Sequence, residues 1–257
     1  MNRITQLFQT KNQNILNIYF TAGFPAVNDT IAIVKEIEAA GADIIEIGMP
    51  YSDPVADGET IQQSNQIALD NGMTVKLLFE QLADIRKSVS IPIVLMGYVN
   101  PVLQFGVEEF CIKCQEVGVD GVILPDLPIQ EYETEYKAIF DKYGILNTFL
   151  ITPQTSEKRI RHIDSISDGF IYMVSSASVT GSVSGVTDEM EVYFNRVNAM
   201  SLKNPRLIGF GIKDNATFKK ASSYASGAII GSAFIRALEE NGIEGIADYL
   251  KSVKGEN

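Results

Sequence analysis

The sequence predicts a (β/α)8 TIM barrel built as a single α/β domain over residues 1–257, with a short N-terminal helix. Short apolar runs alternate with longer amphipathic segments along the whole chain, the apolar runs number eight, and about 250 residues is the usual length of such a barrel. Apolar strands separated by helices indicate a parallel sheet that is buried on both faces. The predicted strands are Ile15–Thr21, Ile44–Gly48, Ile93–Tyr98, Gly121–Leu124, Leu146–Ile151, Phe170–Val174, Arg206–Phe210 and Ala228–Ile230.

The amphipathic segments between these runs predict helices. Glycines in the turns Ala40–Asp43 and Val117–Asp120 are typical of helix C-termini, where the chain passes through a left-handed conformation. A doubly wound open sheet is the alternative fold, but no Gly-x-Gly-x-x-Gly follows the first strand to support it. The predicted helices are Met1–Phe8 at the amino-terminal end of the barrel, Asn28–Ala40, Met73–Ser88, Val107–Val117, Glu131–Tyr143 and Asp188–Met200, and Lys251–Asn257 is expected to be a polar tail.

The composition excludes several classes of function. The 21 Lys and Arg residues against 32 Asp and Glu residues give a net charge of −11, which argues against nucleic acid or an anionic membrane as the main partner. The chain has no apolar run of about 18 residues and no apolar stretch typical of a secretory signal. Two cysteines and one histidine argue for a cytoplasmic protein without a multi-histidine metal site.

The strand Ile44–Gly48 carries the first candidate catalytic group. Because side chains alternate along a strand, Glu46 lies on the face opposite to Ile45 and Ile47. If the isoleucines face the helices, Glu46 points into an apolar barrel, where burial would raise its pKa and suit it to acid–base chemistry. The alternative is that Glu46 ends an edge strand in solvent.

The loop that follows, Met49–Gly58, holds a second candidate acid. Asp57 could share a substrate with Glu46 while titrating in a different pH range. An aspartate before glycine also commonly bonds to the backbone of its own loop, and the spacing alone does not decide between the two interpretations.

Glycines after three late strands predict a phosphate site. They occur in Thr180–Gly185, at Phe210–Ile212 and at Gly231–Ser232, and a helix that opens at Ser232 would add its positive end. Loops after the last two strands often build the phosphate site of this fold. Any one of these glycines could be only a turn residue, but three at successive strand ends favour a phosphate cradle.

Two other features are interpreted as structural. The sequence Cys111-Ile-Lys-Cys114 has redox spacing, yet both cysteines lie on the apolar face of a predicted helix and fit core packing better. His162 lies among charged residues on a predicted helix, away from the strand ends, and is expected at the surface.

The run Glu46–Gln62, with both acids and the Pro-Tyr-Ser-Asp-Pro turn, closely resembles the tryptophan synthase alpha subunit family. The resemblance covers almost the whole chain. It continues in Tyr19–Pro25, Asp126, Tyr172, Val179–Gly181, Gly209–Ile212 and Gly231–Ser232.

The resemblance implies a lyase that cleaves indole-3-glycerol phosphate to indole and glyceraldehyde 3-phosphate by a retro-aldol reaction. Glu46 would be the general acid and base, and Asp57 would accept the indole N–H. The other implied site residues are Tyr172 orienting Glu46, Thr180 closing over the substrate, Tyr19, Met96 and Phe210 lining the indole pocket, and Gly181, Gly211, Gly231 and Ser232 holding the phosphate.

The resemblance also implies a partner, a beta subunit that carries pyridoxal phosphate and receives indole through a tunnel in an alpha2beta2 complex. This subunit would hold no cofactor of its own. Ser178 stands where glycine is common in the family, and Phe24 stands where an acidic residue is common. The first departure bears on how the loop around Ser178 folds over the phosphate. The implied partner surface contains Pro50, Ser52, Asp53, Pro54, Asn100 and Asp126.

Two other functions compete with an active lyase. A chiefly regulatory subunit would turn over slowly alone and act through its partner surface. Another phosphosugar barrel, an isomerase or epimerase, is disfavoured, because those reactions need histidine ligands or a Lys–His pair.

Overall fold

The computed structural model describes residues 1–54, 57–174, 187–209 and 211–256, and its strands form one parallel sheet. The first two predicted strands have the predicted bounds, and the others differ by one or two residues at their ends or are divided. The strands are β1 (Ile15–Thr21), β2 (Ile44–Gly48), β3 (Ile93–Met96), β4 (Gly121–Ile123), β5 (Leu146–Thr148), β6 (Leu150–Ile151), β7 (Ile171–Val174), β8 (Arg206–Gly209) and β9 (Gly227–Ile230).

The sheet curls into an almost closed barrel. Its strand order is β5-β4-β3-β2-β1-β9-β8-β7-β6, so the two ends of the order, β5 and β6, are separated in sequence only by Phe149. β5 pairs with β4 and β6 pairs with β7, and the Phe149 carbonyl accepts a hydrogen bond from the Tyr172 N–H at 3.0 Å. The predicted strand Leu146–Ile151 is therefore two segments that serve opposite neighbours. The predicted (β/α)8 barrel is confirmed, and the open sheet is wrong.

Helices follow the strands on the outside of the barrel. Glycines 41 and 118 have φ of 82° and 79°, as the turn pattern predicts. Three helix predictions need correction: Met73–Ser88 is interrupted, Glu131–Tyr143 starts two residues earlier and contains a π turn, and the expected tail is helical through Lys254. The predicted helices Met1–Phe8, Asn28–Ala40 and Asp188–Met200 differ from the observed ones by one or two residues at their ends. The helices are α1 (Arg3–Thr10), α2 (Thr30–Ala39), α3 (Glu59–Asp70), α4 (Val75–Leu82), α5 (Val99–Phe105), α6 (Val107–Val117), α7 (Ile129–Glu131), α8 (Lys137–Tyr143), α9 (Glu157–Ile166), α10 (Asp188–Asn198), α11 (Asn215–Ser222), α12 (Ser232–Asn241) and α13 (Ile246–Lys254), with 3-10 turns at Ile85–Lys87 and Ile243–Gly245 and the π turn at Tyr132–Tyr136.

The last helix explains why the polar-tail prediction is wrong. Lys251 and Lys254 flank Val253, which is almost fully buried, so the segment has one apolar face against the barrel. α13 packs against α2 and α11 and ends at Gly255, which has φ of 74°. The segment after Leu250 has the composition of a tail because Val253 is its one buried apolar residue, while the other buried residues of the helix, Ile246 and Leu250, precede it.

The core has two layers. The larger layer lies between the strands and the surrounding helices, and a smaller one fills the barrel interior. Ile4 of α1 belongs to the interior layer and has no exposed surface, so α1 closes the amino-terminal end. An ion pair helps to hold α1 in place, because the buried Asp120 accepts a hydrogen bond from Arg3 of α1 at 3.0 Å. Asp120 also accepts one from Arg86 at 2.6 Å. The opposite end, at the carboxyl ends of the strands, is where the candidate residues lie.

Candidate functional site

Glu46 points into the barrel. Ile45 and Ile47 pack in the outer layer while Ile44 packs in the interior layer, so alternation places Glu46 on the inner face of β2. Its side chain is 1% exposed, and one carboxylate oxygen, Oε2, accepts a hydrogen bond from Asn17 Nδ2 at 2.8 Å. Burial raises the pKa of Glu46 to about 8. The solvent-exposed alternative is wrong.

Asp57 lies at the end of the loop after β2, directly before α3. Its carboxylate accepts a hydrogen bond from the Tyr98 hydroxyl at 3.2 Å. Burial raises the pKa of Asp57 to about 6, although the hydrogen bond from Tyr98 opposes that rise. The two carboxyl groups are therefore held in different protonation states near neutral pH. The sequence pattern did not single out Tyr98, although its position at the end of the third predicted strand places it at this edge of the barrel.

Two tyrosines, Tyr19 on β1 and Tyr172 on β7, are buried close to both acids. Burial raises the pKa of each phenol, and the negative charges of Asp57 and Glu46 raise it further. Both phenols are therefore neutral at physiological pH and can donate hydrogen bonds. The Tyr19 hydroxyl oxygen also lies 3.4 Å from the Thr21 hydroxyl oxygen. The Thr21 hydroxyl in turn contacts the Ser64 hydroxyl of α3 at 2.7 Å.

Glycines at the strand ends make room for these rings. A Cβ atom on Gly48 would overlap the Tyr19 hydroxyl, and one on Gly209 would overlap the Tyr172 hydroxyl. A Cβ on Gly231 would lie 3.4 Å from Cδ1 of Tyr19, in ordinary contact. The space beside Glu46 that Gly48 leaves is thus occupied by Tyr19.

The candidate phosphate residues divide between described and undescribed parts of the chain. α12 begins at Ser232 with Gly231 before it, as predicted, so the backbone N–H groups of its first turn are at the carboxyl end of β9. Gly211 follows β8 with φ of 74°. Met96 ends β3 opposite Gly48 in the sheet register. Thr180, Gly181 and Phe210 lie outside the described residues, as does Ser178.

The predicted partner residues lie in the loops after β2 and β4 and in the first turn of α5, which follows β3. Asn100 Nδ2 is 3.5 Å from the Tyr51 hydroxyl, and Asp126 Oδ1 accepts from the Val99 N–H at 2.9 Å. The rings of Tyr51 and Tyr98 stack with centroids 5.1 Å apart. These contacts join the two loops and the start of α5 into one surface. On it Ser52, Asp53, Asn100 and Asp126 are exposed, Pro54 is half-buried and Pro50 is buried.

The remaining candidates have structural roles. Cys111 and Cys114 are fully buried in α6, and burial raises the pKa of the Cys111 thiol to about 12. His162 is half-exposed on α9 and contacts Glu133 at 2.8 Å. Phe24 is buried in the outer layer. Within the described ranges, no three His, Cys, Asp or Glu side chains form a metal-binding group. None of the described helices is long and apolar enough to cross a membrane.

An almost closed parallel barrel with two differently titrating carboxyl groups at one end has the architecture of a (β/α)8-barrel enzyme. A family model described as tryptophan synthase alpha chain matches residues 5–255. The chain is 58% identical to the tryptophan synthase alpha chain of Flavobacterium johnsoniae over 254 residues, which are 99% of this chain and 100% of the relative. It is 52% identical to that of Parabacteroides distasonis over 256 residues, which are 99% and 100% of the two chains.

Solved structures agree. The Mycobacterium tuberculosis tryptophan synthase matches with a TM-score of 0.90 at 30% identity, covering 99% of this chain and 98% of that one. Tryptophan synthase subunit alpha from Legionella pneumophila gives 0.89 at 30% identity, with 100% and 98% coverage. The chain belongs to the tryptophan synthase alpha chain family and is an indole-3-glycerol-phosphate lyase. Members of this family hold no cofactor, and the pyridoxal phosphate belongs to the beta subunit.

The Gly48 contact gives a test of the site's packing. Gly48→Ala should displace the Tyr19 ring and lower both stability and turnover, because the new methyl group overlaps the phenol. In a Tyr19→Leu background the same change should cost about 1 kcal/mol less in the free energy of unfolding. A double-mutant cycle from urea unfolding measures the difference, and equal costs in the two backgrounds would contradict the contact.

Proposed function

We propose that Glu46 and Asp57 together cleave indole-3-glycerol phosphate to indole and glyceraldehyde 3-phosphate. The observation that carries this assignment is that the two carboxyl groups lie at the same end of the barrel in different surroundings. Glu46 is buried on the inner face of β2 and Asp57 is bound by the Tyr98 hydroxyl, and burial raises their pKa values to about 8 and about 6. At neutral pH Glu46 is largely protonated and Asp57 is largely ionised. One group is ready to give a proton, and the other is ready to stabilise positive charge.

The reaction needs both states in turn. Glu46 donates its proton to C3 of the indole ring, and the Asp57 carboxylate accepts the indole N–H and stabilises the positive charge that develops there. The Glu46 carboxylate then removes the proton from the side-chain hydroxyl next to C3. The bond between C3 and that carbon breaks, its electron pair restores the aromatic ring, and the hydroxyl carbon becomes the aldehyde. Glu46 ends the cycle protonated, as it began.

The substrate would bind across the carboxyl ends of the strands. The N-terminus of α12 at Gly231 and Ser232, with Gly211 and Gly181, would hold the phosphate through backbone N–H groups, which favour an anion despite the net charge of −11. Met96, Tyr19 and Phe210 would line the indole pocket. Tyr172 would orient Glu46, and Thr180 would close over the substrate.

Burial of both tyrosines supports this arrangement. Tyr19 and Tyr172 keep their protons because burial raises their pKa values, so they can line the pocket without adding negative charge next to Glu46. A neutral lining also keeps the local dielectric low, which maintains the raised pKa of Glu46.

The partner would be a tryptophan synthase beta subunit, bound in an alpha2beta2 complex in the cytoplasm. Pro50–Pro54, Asn100 and Asp126 are joined by hydrogen bonds into one patch at the end of the barrel that holds the acids. This patch is where the partner would bind. Tyr98 links this patch to the site, since its ring stacks on Tyr51 and its hydroxyl binds Asp57. The unbroken strand order of the sheet supports treating residues 1–257 as one domain.

The link through Tyr98 also favours the second candidate function, a chiefly regulatory subunit with slow turnover alone. Titrating a beta subunit into an indole-release assay distinguishes the two functions, because an independent lyase releases indole even without the partner. We expect measurable indole release without the partner and a higher rate with it. Release that is absent without the partner would favour the regulatory function, and a rate that the partner leaves unchanged would contradict the link.

The role of Glu46 is tested by Glu46→Gln, which keeps the size of the side chain and removes the proton that it donates. Indole release should fall by about 100- to 10,000-fold, the usual contribution of a general acid and base. Glu36→Gln, at an exposed position on α2, is the matched control and should retain full turnover. Full activity of Glu46→Gln, with the circular dichroism spectrum unchanged, would refute the assignment.

The two pKa values predict a bell-shaped pH profile. The kcat/KM should rise as Asp57 ionises near pH 6 and fall as Glu46 loses its proton near pH 8. Tyr98→Phe removes a hydrogen bond that favours the charged form of Asp57, so the acidic limb alone should move to higher pH. An acidic limb that stays in place in this variant would show that Asp57 does not set it.

A further inference from the structure

Asn17 is a fully buried polar residue at the centre of the site. It lies on the inner face of β1, beside Ile44 on β2 and Ile229 on β9 in the sheet register. Its Nδ2 atom donates a hydrogen bond to Glu46 Oε2 at 2.8 Å. The amide therefore contacts the same carboxyl group to which the lyase chemistry is assigned.

Packing alone does not account for an amide at this place. The neighbouring inward side chains Ile15, Ile44 and Ile229 are aliphatic. Asn17 Oδ1 is buried and has no hydrogen-bond partner in the part of the chain that the structure describes. A buried acceptor without a partner destabilises a protein, and an aliphatic side chain of the same shape would avoid that loss. What distinguishes Asn17 is that the other end of its amide binds the Glu46 carboxyl group.

An amide suits a carboxyl group that changes its protonation state. Nδ2 donates to Glu46 Oε2 in the structure, which is the contact that an ionised carboxylate needs. A protonated carboxyl group needs an acceptor instead, and Oδ1 becomes one when the amide turns by half a rotation about its last side-chain bond. The two ends of the amide have nearly the same size, so this rotation leaves the surrounding isoleucines in place.

We propose that Asn17 is a positioning residue for the lyase reaction, holding the Glu46 carboxyl group in one orientation through its amide in both protonation states. This proposal rests on the proposed role of Glu46. Asn17 does not touch the reacting atoms. It fixes the direction from which Glu46 reaches C3 and the hydroxyl.

The other titratable groups around Glu46 come from four elements. They are Tyr19 on β1, Tyr172 on β7, Asp57 before α3 and Tyr98 after β3. Both Tyr19 and Tyr172 have pKa values raised far above neutrality by burial. Asp57 titrates near pH 6, on the acidic side of the profile. A change confined to the alkaline limb therefore reports on Glu46.

The test is Asn17→Leu, which keeps the shape of the side chain and removes its polar atoms. Loss of the hydrogen bond should lower kcat by about 10- to 100-fold through misorientation of Glu46. It should also move the alkaline limb of the pH profile to higher pH, because the lost donor favoured the carboxylate. KM for the substrate should change little, since Asn17 is not a binding residue.

A matched control exists in the same barrel. Asn147 on β5 is also buried, and both of its amide atoms lack hydrogen-bond partners in the described ranges. Asn147→Leu should leave kcat and the pH profile unchanged. If both leucine variants lower kcat alike with the alkaline limb in place, the effect is structural and the proposal is overturned. If Asn17→Leu matches the unsubstituted enzyme in kcat and pH profile, the proposal is also overturned.

Two further variants keep the test decisive. Asn17→Val, with a smaller side chain typical of strands, replaces Asn17→Leu if the latter does not fold, and the same alkaline shift is expected of it. Glu46→Gln distinguishes a failure of the role proposed for Asn17 from a failure of the proposed function. If Glu46→Gln is inactive while Asn17→Leu behaves as the unsubstituted enzyme, only the role of Asn17 fails. If Glu46→Gln is active, the proposed function fails first.

Discussion

The site depends on keeping one carboxyl group out of water. Glu46 is largely protonated at neutral pH because the almost closed barrel around it is apolar, and its pKa of about 8 is a direct result of that burial. A charged carboxylate at this depth would be costly unless it were hydrogen-bonded, and the amide of Asn17 supplies a hydrogen bond. The almost closed sheet, the isoleucine side chains of the interior and α1, which closes the amino-terminal end, all help to keep Glu46 out of water.

The parallel register brings the remaining groups to that carboxyl. Tyr19 lies opposite Glu46 in the pairing of β1 with β2, and Met96 lies opposite Gly48 in the pairing of β2 with β3. Because all strands run in one direction, their carboxyl ends form a single rim from which the loops start. Asp57 and Tyr98 come from different loops and still meet at 3.2 Å.

Much of this arrangement follows from local patterns. Alternation within Ile44–Gly48 indicates which face Glu46 occupies, the glycines at positions 41 and 118 mark helix ends, and Ser232 marks the start of α12. These features need only neighbouring residues. The local patterns do not identify the reaction. Its assignment from the sequence depends on the resemblance to the family.

The features that could not be predicted depend on contacts between distant segments. The hydrogen bonds from Asn17 to Glu46 and from Tyr98 to Asp57 join different strands and loops. The contact between Gly48 and Tyr19 depends on the register between two strands. The division of Leu146–Ile151 at Phe149 arises only when the sheet closes, because an apolar run does not reveal that its two halves pair with opposite neighbours.

That division has a mechanical consequence. The seam at Phe149 joins the two ends of the strand order, and on one side of it only Leu150 and Ile151 pair with β7. β1 lies at the middle of the same order, diametrically across the barrel, and pairs with β2 from Asn17 through Thr21. The wall is therefore interrupted at the seam, while the two strands that carry Asn17 and Glu46 are paired along five residues. The seam therefore lies half a circumference from Asn17 and Glu46 but directly beside Tyr172, whose N–H binds the Phe149 carbonyl.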